Sequence, residues 1–233
     1  NQSLLLPYSC IIIANPTKPW NEEDKFAVDQ YIMQGGKVLW LIDPVSVARD
    51  SLVYGKTFAN IAQLNLDDQL FRYGIRLNPV LVQDIQCNII PVNTATSNTR
   101  PQFSPAPWLY LPLLAGNQNS AISRNINLVK SEYTSYIDTL NIENIHFTSL
   151  LTSSARAKIK TVPYIISMQE IKQQPALESF DKQFLPVAVL AEGTFTSVFK
   201  NRMLDDLQIV GSKKVIETSV YNKMIVIADA DII

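Results

Sequence analysis

The chain has 233 residues, 47% of them hydrophobic, and a formal net charge of −1. This hydrophobic share supports a sizeable buried core and excludes a disordered chain. The balanced charge argues against a nucleic-acid partner, because binding to phosphates needs clustered Lys and Arg. No apolar run reaches the roughly 18 residues that cross a bilayer. Partners are therefore expected among proteins and small molecules, and any membrane anchor is expected outside this sequence.

The first third of the chain alternates strand and helix patterns. Residues 9–14 are a short apolar run rich in β-branched side chains, which predicts a buried strand. Asn21 is the predicted N-cap of a helix that has acidic residues in its first turn. Residues 37–42 are the next apolar strand. This order predicts a β-α-β unit, in which the crossover makes the two strands parallel.

Two further stretches extend this pattern. Residues 57–73 carry apolar side chains at mostly helical spacing, and residues 76–92 have the pattern of an extended segment. The resulting β-α-β-α-β order predicts an α/β fold of three layers with a mostly parallel, Rossmann-like sheet. A single domain over residues 1–233 is expected.

Residues 93–123 break the alternation. They open with a polar run that lacks hydrophobic periodicity, and they continue with four prolines that surround aromatic residues. A long Pro-rich loop insertion is therefore predicted. The aromatic residues Trp108 and Tyr110 are candidates for contact with a protein partner, although such side chains more often pin a loop against the body of a protein.

The sequence lacks the motifs of common catalytic sites. It has no glycine-rich dinucleotide loop, no Walker phosphate loop and no nucleophile elbow. Its one histidine, His146, excludes a zinc site with two His ligands. The hydroxyl cluster at residues 152–154 has no base marked beside it. We predict that the chain is not an enzyme and that it binds no cofactor or metal.

The sequence has two cysteines, Cys10 and Cys87, which are too few for a disulfide framework. Two buried thiols are favoured over one bridge.

Polar residues stand at the ends of several apolar strands. These residues are Asn15, Asp43, Glu192 and Asp229. In a parallel sheet such ends meet at one edge, where open α/β sheets bind ligands. The four side chains are therefore candidate ligand-binding residues for a cation, a sugar or a peptide amine. Asp and Asn after a strand also commonly cap a helix or form a turn. Asp229 and Asp231 form a weak D-x-D pair.

Several segments carry a family resemblance. The densest is the continuous run KFAVDQYIMQGGKVLWLIDP from Lys25 to Pro44, and shorter matches are QDIQC at 83–87, LLTSS at 150–154 and VAVLAEG at 187–193. These segments resemble the gliding-motility-associated ABC transporter accessory family, the GldG-like proteins of Bacteroidetes.

The resemblance implies an inner-membrane protein that has this domain in the periplasm and its membrane anchors outside this sequence. It implies an ABC permease and an ATPase as partners, together with a small ligand or peptide, and no catalysis. The implied fold is related to the class I glutamine amidotransferase-like fold, as in an intraflagellar transport subunit, without the catalytic cysteine. Two alternatives stay open. One is an unrecognised hydrolase or amidotransferase-like enzyme that uses the acidic sheet edge, and the other is a purely structural interaction scaffold.

Overall fold

The structure, a computed structural model, describes residues 4–93, 95, 100–202 and 215–232. Strands dominate these residues. The strands are β1 Cys10–Ala14, β2 Lys37–Leu41, β3 Val45–Val47, β4 Lys56–Ile61, β5 Ile75–Asn78, β6 Val80–Asp84, β7 Cys87–Asn93, β8 Phe103–Gly116, β9 Val129–Lys130, β10 Tyr136–Thr139, β11 Ile145–Thr152, β12 Ala157–Thr161, β13 Tyr164–Ser167, β14 Pro186–Gly193 and β15 Asn222–Ile227. The α-helices are α1 Glu22–Met33 and α2 Asp67–Arg72, and short 3₁₀ helices occupy Arg49–Tyr54, Met168–Lys172 and Leu177–Ser179.

The main sheet has eight strands and a mixed direction. Its order is β1-β2-β15-β14-β11-β8-β7, and β9 pairs with β8 off this path. The strands β1, β2 and β15 are parallel to one another, whereas every other pairing in the sheet is antiparallel. Three small sheets pair β10 with β5, β12 with β6, and β4 with β13 on one side and β3 on the other.

The predicted fold class is therefore wrong. The chain does not form a three-layer α/β fold with a mostly parallel Rossmann-like sheet, because only three neighbouring strands are parallel and the described residues are mostly β. The reason is that a buried apolar strand has the same sequence pattern whichever way it runs. The direction of β14 and β11 is set by their antiparallel pairing, which needs no crossover helix.

The second predicted helix, over residues 57–73, is also wrong. Its first part is β4, which pairs with β3 on one side and β13 on the other. Only Asp67–Arg72 is helical. Phe58 and Ile61, two of the apolar residues at helical spacing, are exposed. Pairing on both edges of β4 has overridden the local spacing.

The predicted loop insertion at residues 93–123 contains the fourteen-residue strand β8. In its pairing with β7, Pro105 lies opposite Pro91 and Pro107 lies opposite Ile89. Proline has no N–H, so these residues fit a ladder only where they do not donate to the neighbouring strand. Prolines at alternate positions meet that condition, because hydrogen-bonded and non-hydrogen-bonded pairs alternate along an antiparallel ladder.

The helix α1 covers one face of the parallel strands. It begins as predicted, with the Asn21 side chain accepting a hydrogen bond from the backbone N–H of Asp24 at 2.7 Å. Its buried residues, including Ile32, pack in the largest hydrophobic cluster with Trp40 of β2 and Val226 of β15. This layer fixes the position of the strand ends that form the site described below.

Two smaller features complete the description. In the part of the chain described here, no helix combines the length and the hydrophobicity that a bilayer-spanning segment requires. Cys10 and Cys87 are free thiols. Cys87 is half-buried, but Cys10 is exposed, so the prediction of two buried thiols is wrong for Cys10, which lies on the uncovered face of β1.

Candidate functional site: an acidic cleft at the ends of parallel strands

Three carboxyl groups meet at the carboxyl ends of the parallel strands. Asp43 follows β2, and Asp229 and Asp231 follow β15. Because Leu41 pairs with Ile227 in the parallel β2–β15 ladder, the residues beyond these two positions are neighbours. One carboxylate oxygen from each aspartate lies within 4.8 Å of the other two. The strand directions therefore bring together side chains that are far apart in sequence.

Backbone N–H groups hold two of these carboxylates. Asp43 Oδ1 accepts a hydrogen bond from Ala230 N at 2.7 Å. Asp229 accepts one from Glu132 N at 2.9 Å on Oδ2, and one from Asp231 N at 2.9 Å on Oδ1. The cluster consequently ties the end of β15 to the end of β2 and to the segment that follows β9.

Burial changes the acidity of the cluster. Asp229 is 0% exposed, and its pKa is raised from 3.8 to about 7, chiefly by desolvation and further by the nearby charges of Asp43 and Glu132. The hydrogen bond from Glu132 N and the charge of Arg49 act in the opposite direction. The pKa of Asp43 is also raised by burial, against the hydrogen bond from Ala230 N and the charge of Arg49.

Arg49 closes one side of the cluster. Its guanidinium pairs with Asp231 and with Glu132, the latter at 3.1 Å between Nη1 and Oε2. The guanidinium carbon lies 5.6 Å from the centre of the Tyr133 ring, within the range of a cation–π contact. One arginine thus shares its charge between two carboxylates, and it leaves Asp43 without an ion pair among the described residues.

A cleft of about 590 Å³ opens over this cluster. Asp43, Arg49 and Asp231 line it together with uncharged polar residues, among them Asn15 and Gln63. An adjoining cavity of about 390 Å³ has a mainly apolar lining, and the two share Ile61, Ala62 and Leu64. The polar cleft has the size of a small-ligand site.

The cleft presents oxygen ligands and hydrogen-bond acceptors. Among the described residues, neither Asp43 Oδ2 nor Asp231 Oδ1 takes part in a hydrogen bond. Asp231 is already paired with Arg49, whereas Asp43 has no ion pair, so Asp43 Oδ2 is the available oxygen whose charge is not already paired. Carboxylate oxygens bind hard divalent cations and ammonium groups. Asp43, Asp229 and Asp231 are the residues that could hold a metal ion, although Asp229 and Asp231 already have partners in the protein.

Of the four residues predicted from strand ends, the structure brings together three. Asn15 and Asp43 line the cleft, and Asp229, which does not line it, has a carboxylate oxygen within 4.8 Å of those of Asp43 and Asp231. Glu192 lies at the opposite ends of the strands, next to the beginning of β15, because β14 runs antiparallel to β15. There it pairs with Lys223 and lies across from His146 in the ladder with β11. The prediction of one shared edge therefore fails for Glu192.

Sequence reasoning missed Arg49, Glu132 and Tyr133. Arg49 comes from the 3₁₀ helix after β3, and the other two come from the segment after β9. No local pattern marks them, because the contacts join residues 83 and 182 positions apart. Asp231 carried a signal in the D-x-D pair with Asp229.

Trp108 and Tyr110 are not on a surface loop. They are 3% and 0% exposed, and they pack in a hydrophobic cluster with residues such as Tyr133. Trp108 Nε1 donates to Tyr133 Oη at 3.3 Å, and Tyr110 Oη donates to Glu170 Oε2 at 2.9 Å. Both predicted partner-binding residues are thus core residues, because the segment that carries them is the strand β8.

The hydroxyl cluster is also structural. Ser154 Oγ donates to Asp84 Oδ1 at 2.6 Å, and the Ser153 side chain is buried. His146 stands near the beginning of β11 and Ser154 just beyond its end. An extended strand of this length separates the two by roughly 25 Å. The one histidine of the sequence therefore cannot activate these hydroxyls.

The fold and the cleft define a mixed-sheet domain that has an acidic site at the carboxyl ends of its parallel strands. A similar fold occurs in another protein. A solved structure titled "mmIFT52 N-terminal domain" matches with a TM-score of 0.51 and 12% sequence identity, and the match covers 100% of this chain and 70% of that chain. At this identity the likeness concerns the fold alone.

The sequence identifies the family. A model of the ABC_transp_aux family, described as an ABC-type uncharacterized transport system, matches residues 2–233. The chain belongs to this family, and it is thus grouped with auxiliary components of ABC-type transport systems. The broader part of the sequence resemblance, to an ABC transporter auxiliary family, is confirmed. No curated protein matches the chain significantly.

Proposed function

We propose that this domain is a non-catalytic accessory or substrate-binding component of an ABC transporter of the gliding-associated, GldG-like type. In this proposal it lies in the periplasm, on the outer side of the inner membrane, and is anchored by segments outside this sequence. Its partners are an ABC permease and an ATPase. The family match over residues 2–233 is the observation that carries the transport part of the proposal.

The cleft over Asp43 is the proposed ligand site, and its charge favours a cation. Three carboxylates line or border the cleft at Asp43, Asp231 and Glu132. The guanidinium of Arg49 pairs with Asp231 and Glu132, and the ammonium of Lys130 also pairs with Glu132, so one negative charge, that of Asp43, is left without an ion pair. Since Arg49 is already shared by Asp231 and Glu132, an ammonium group would meet the available oxygen of Asp43. The adjoining apolar cavity would accommodate a side chain attached to that group. A peptide amino terminus or a small amine fits this combination.

One observation favours the hydrolase alternative: Asp43 and Asp229 are close, and the pKa of Asp229 is about 7, in the range of a general acid. The geometry argues against it. Asp229 is fully buried, both its oxygens accept backbone hydrogen bonds, and it does not line the cleft. A carboxyl group in that position shapes the site without reaching a substrate.

A thermal-shift experiment tests the ligand site. The probes are the dipeptide Ala-Leu with a free amino group and the same dipeptide acetylated at its amino group. We expect the free peptide to raise the Tm of the chain and the acetylated peptide to have no effect. Asp43→Asn should abolish the shift, whereas the matched control Glu192→Gln, at the opposite edge of the sheet, should retain it. Equal shifts with both peptides, or a shift that survives Asp43→Asn, would contradict an amine site at Asp43.

A separate experiment tests the transport role. The full-length protein is purified with an affinity tag from its native envelope, and the proteins that accompany it are identified by mass spectrometry. We expect an ABC permease and an ATPase to co-purify in stoichiometric amounts. Recovery of the protein alone or in an unrelated complex would count against the accessory role and would leave the fold and the cleft unchanged.

A further inference from the structure

The strand β1 forms an edge of the main sheet, and its outer side has no partner among the described residues. It pairs with β2 alone. The backbone hydrogen bonds Lys37 N to Ser9 O and Asn15 N to Leu41 O show that odd-numbered residues of this segment bond to β2. Because the direction of backbone hydrogen bonding alternates along a strand, the N–H and C=O groups of Cys10, Ile12 and Ala14 point away from the sheet.

The side chains of the same residues are also uncovered. Ile12 is 61% exposed, and Cys10 and Ala14 are exposed, whereas Ile11 and Ile13 pack against the core below α1. An exposed isoleucine at the centre of an unpaired strand combines apolar surface with unsatisfied hydrogen-bonding groups. These two features together define a surface to which another β-strand can add.

Nothing on β1 prevents such an addition. Natural edge strands are commonly protected by charged residues, prolines or bulges. The sequence of β1, CIIIA, contains no charge and no proline, and its ladder with β2 runs without a bulge. The strand at the other end of the order, β7, contains Pro91, which lies opposite Pro105. The backbone nitrogen of Pro91 carries no hydrogen and points to the outer side, so that side of β7 lacks a hydrogen-bond donor at this position. One edge of the sheet is protected, and the other is open.

We propose that β1 pairs with β1 of a second copy of this chain, in antiparallel direction, about a two-fold axis that passes midway between the two Ile12 residues. The outward groups belong to residues 10, 12 and 14, which are symmetric about Ile12, so the strand is complementary to itself. Ile12 of each copy lies opposite Ile12 of the other, and Cys10 lies opposite Ala14. Each of these three pairs forms two hydrogen bonds, and the two Ile12 Cα atoms are about 5.5 Å apart.

This interface is small, so the dimer is weak. A five-residue strand pairing buries less than the roughly 1,200 Å² typical of stable complexes, and interfaces of this size belong to the transient class. We expect a dissociation constant on the order of 10–500 µM. The dimer is independent of the cleft, so it stands or falls separately from the proposed ligand site.

Sedimentation velocity over a concentration series up to about 1 mM tests the proposal. The decisive variant is Ile12→Pro, because the N–H that it removes points away from β2 and is not needed for the fold. We expect the wild-type chain to form dimers and Ile12→Pro to raise the dissociation constant at least about tenfold. The matched control Ile12→Val keeps the N–H and the strand preference, and it should dimerise like the wild type.

Ile12→Lys is a second variant in case proline disturbs β1. It keeps the N–H, it places a solvated ammonium on an exposed position, and it brings two like charges together in the dimer, so it should also weaken association about tenfold. A wild-type chain that stays monomeric at about 1 mM would overturn the proposal. Dimers that form equally well in Ile12→Pro, Ile12→Lys and Ile12→Val would overturn it as well, because another surface would then hold the copies together.

Discussion

The buried Asp229 predicts an unusual loss of stability with rising pH. Its pKa is about 7 in the folded chain against 3.8 for an ordinary aspartate. Between these values the unfolded chain has released the proton and the folded chain still holds it, so the free energy of unfolding falls as pH rises. A shift of about three units corresponds to about 4 kcal/mol, lost at up to about 1.4 kcal/mol per pH unit between about pH 4 and pH 7. The stabilising contribution is fully present below about pH 4.

Asp229→Asn removes this titration at nearly constant volume. The amide group has one acceptor oxygen, so one of the N–H groups of Glu132 and Asp231 loses its partner, at a cost of about 1–2 kcal/mol. We expect the variant to be less stable than the wild type below about pH 4 and more stable near pH 8, with the two curves crossing between about pH 4 and pH 5.5.

Guanidinium denaturation at a series of pH values measures both curves, and the difference between variant and wild type cancels the other titrating groups. Asp181→Asn is the control, since Asp181 is exposed and its ion pair is with the neighbouring Lys182; its effect should stay within about 0.5 kcal/mol at every pH. A difference between Asp229→Asn and wild type that does not change with pH would refute the raised pKa.

Three further substitutions test the packing around the site and the core. Trp108→Ala should lower the free energy of unfolding by about 3–5 kcal/mol, as measured by denaturation, because the side chain is buried in the core rather than on a partner-binding loop. Tyr110→Phe should cost about 1–3 kcal/mol, because Glu170 loses its hydrogen bond at 2.9 Å; an unchanged stability would show that this bond contributes little. Lys25→Met should lower the free energy of unfolding by about 1–2 kcal/mol at low salt, because the buried ammonium pairs with Asp68 at 2.7 Å. Thermal unfolding should show a loss at least as large as denaturant unfolding does.

Elements with a strong local signal were predictable from the sequence. The Asn21 cap and the acidic first turn of α1 lie within four residues of one another, and the apolar runs of β1, β2, β14 and β15 are short and sharply bounded. These are features that depend on neighbours along the chain. The prediction of α1 and of these four strands as elements is confirmed by the structure.

Direction and pairing were not predictable in the same way. The run at 57–61 has apolar residues at helical spacing, yet it is β4 because β3 and β13 pair with its two edges. The prolines of β8 suggested a loop, yet they fit the ladder at positions that donate nothing to β7. In each case a contact from a distant part of the chain decides the local conformation, and a single sequence does not display that contact.

The direction of one strand also determines which candidate residues form the site. Asn15, Asp43 and Asp229 follow three parallel strands, so the rule that polar strand ends gather at one edge applies to them. Glu192 ends a strand that runs in the opposite direction, so it lies at the other ends of the strands, away from the cleft. The parallel unit therefore places the cleft at the ends of β1, β2 and β15, where residues of β3 and β4 also line it. Its remaining charge comes from segments between other strands: Arg49 from the 3₁₀ helix after β3 and Glu132 from the segment after β9 complete the cluster.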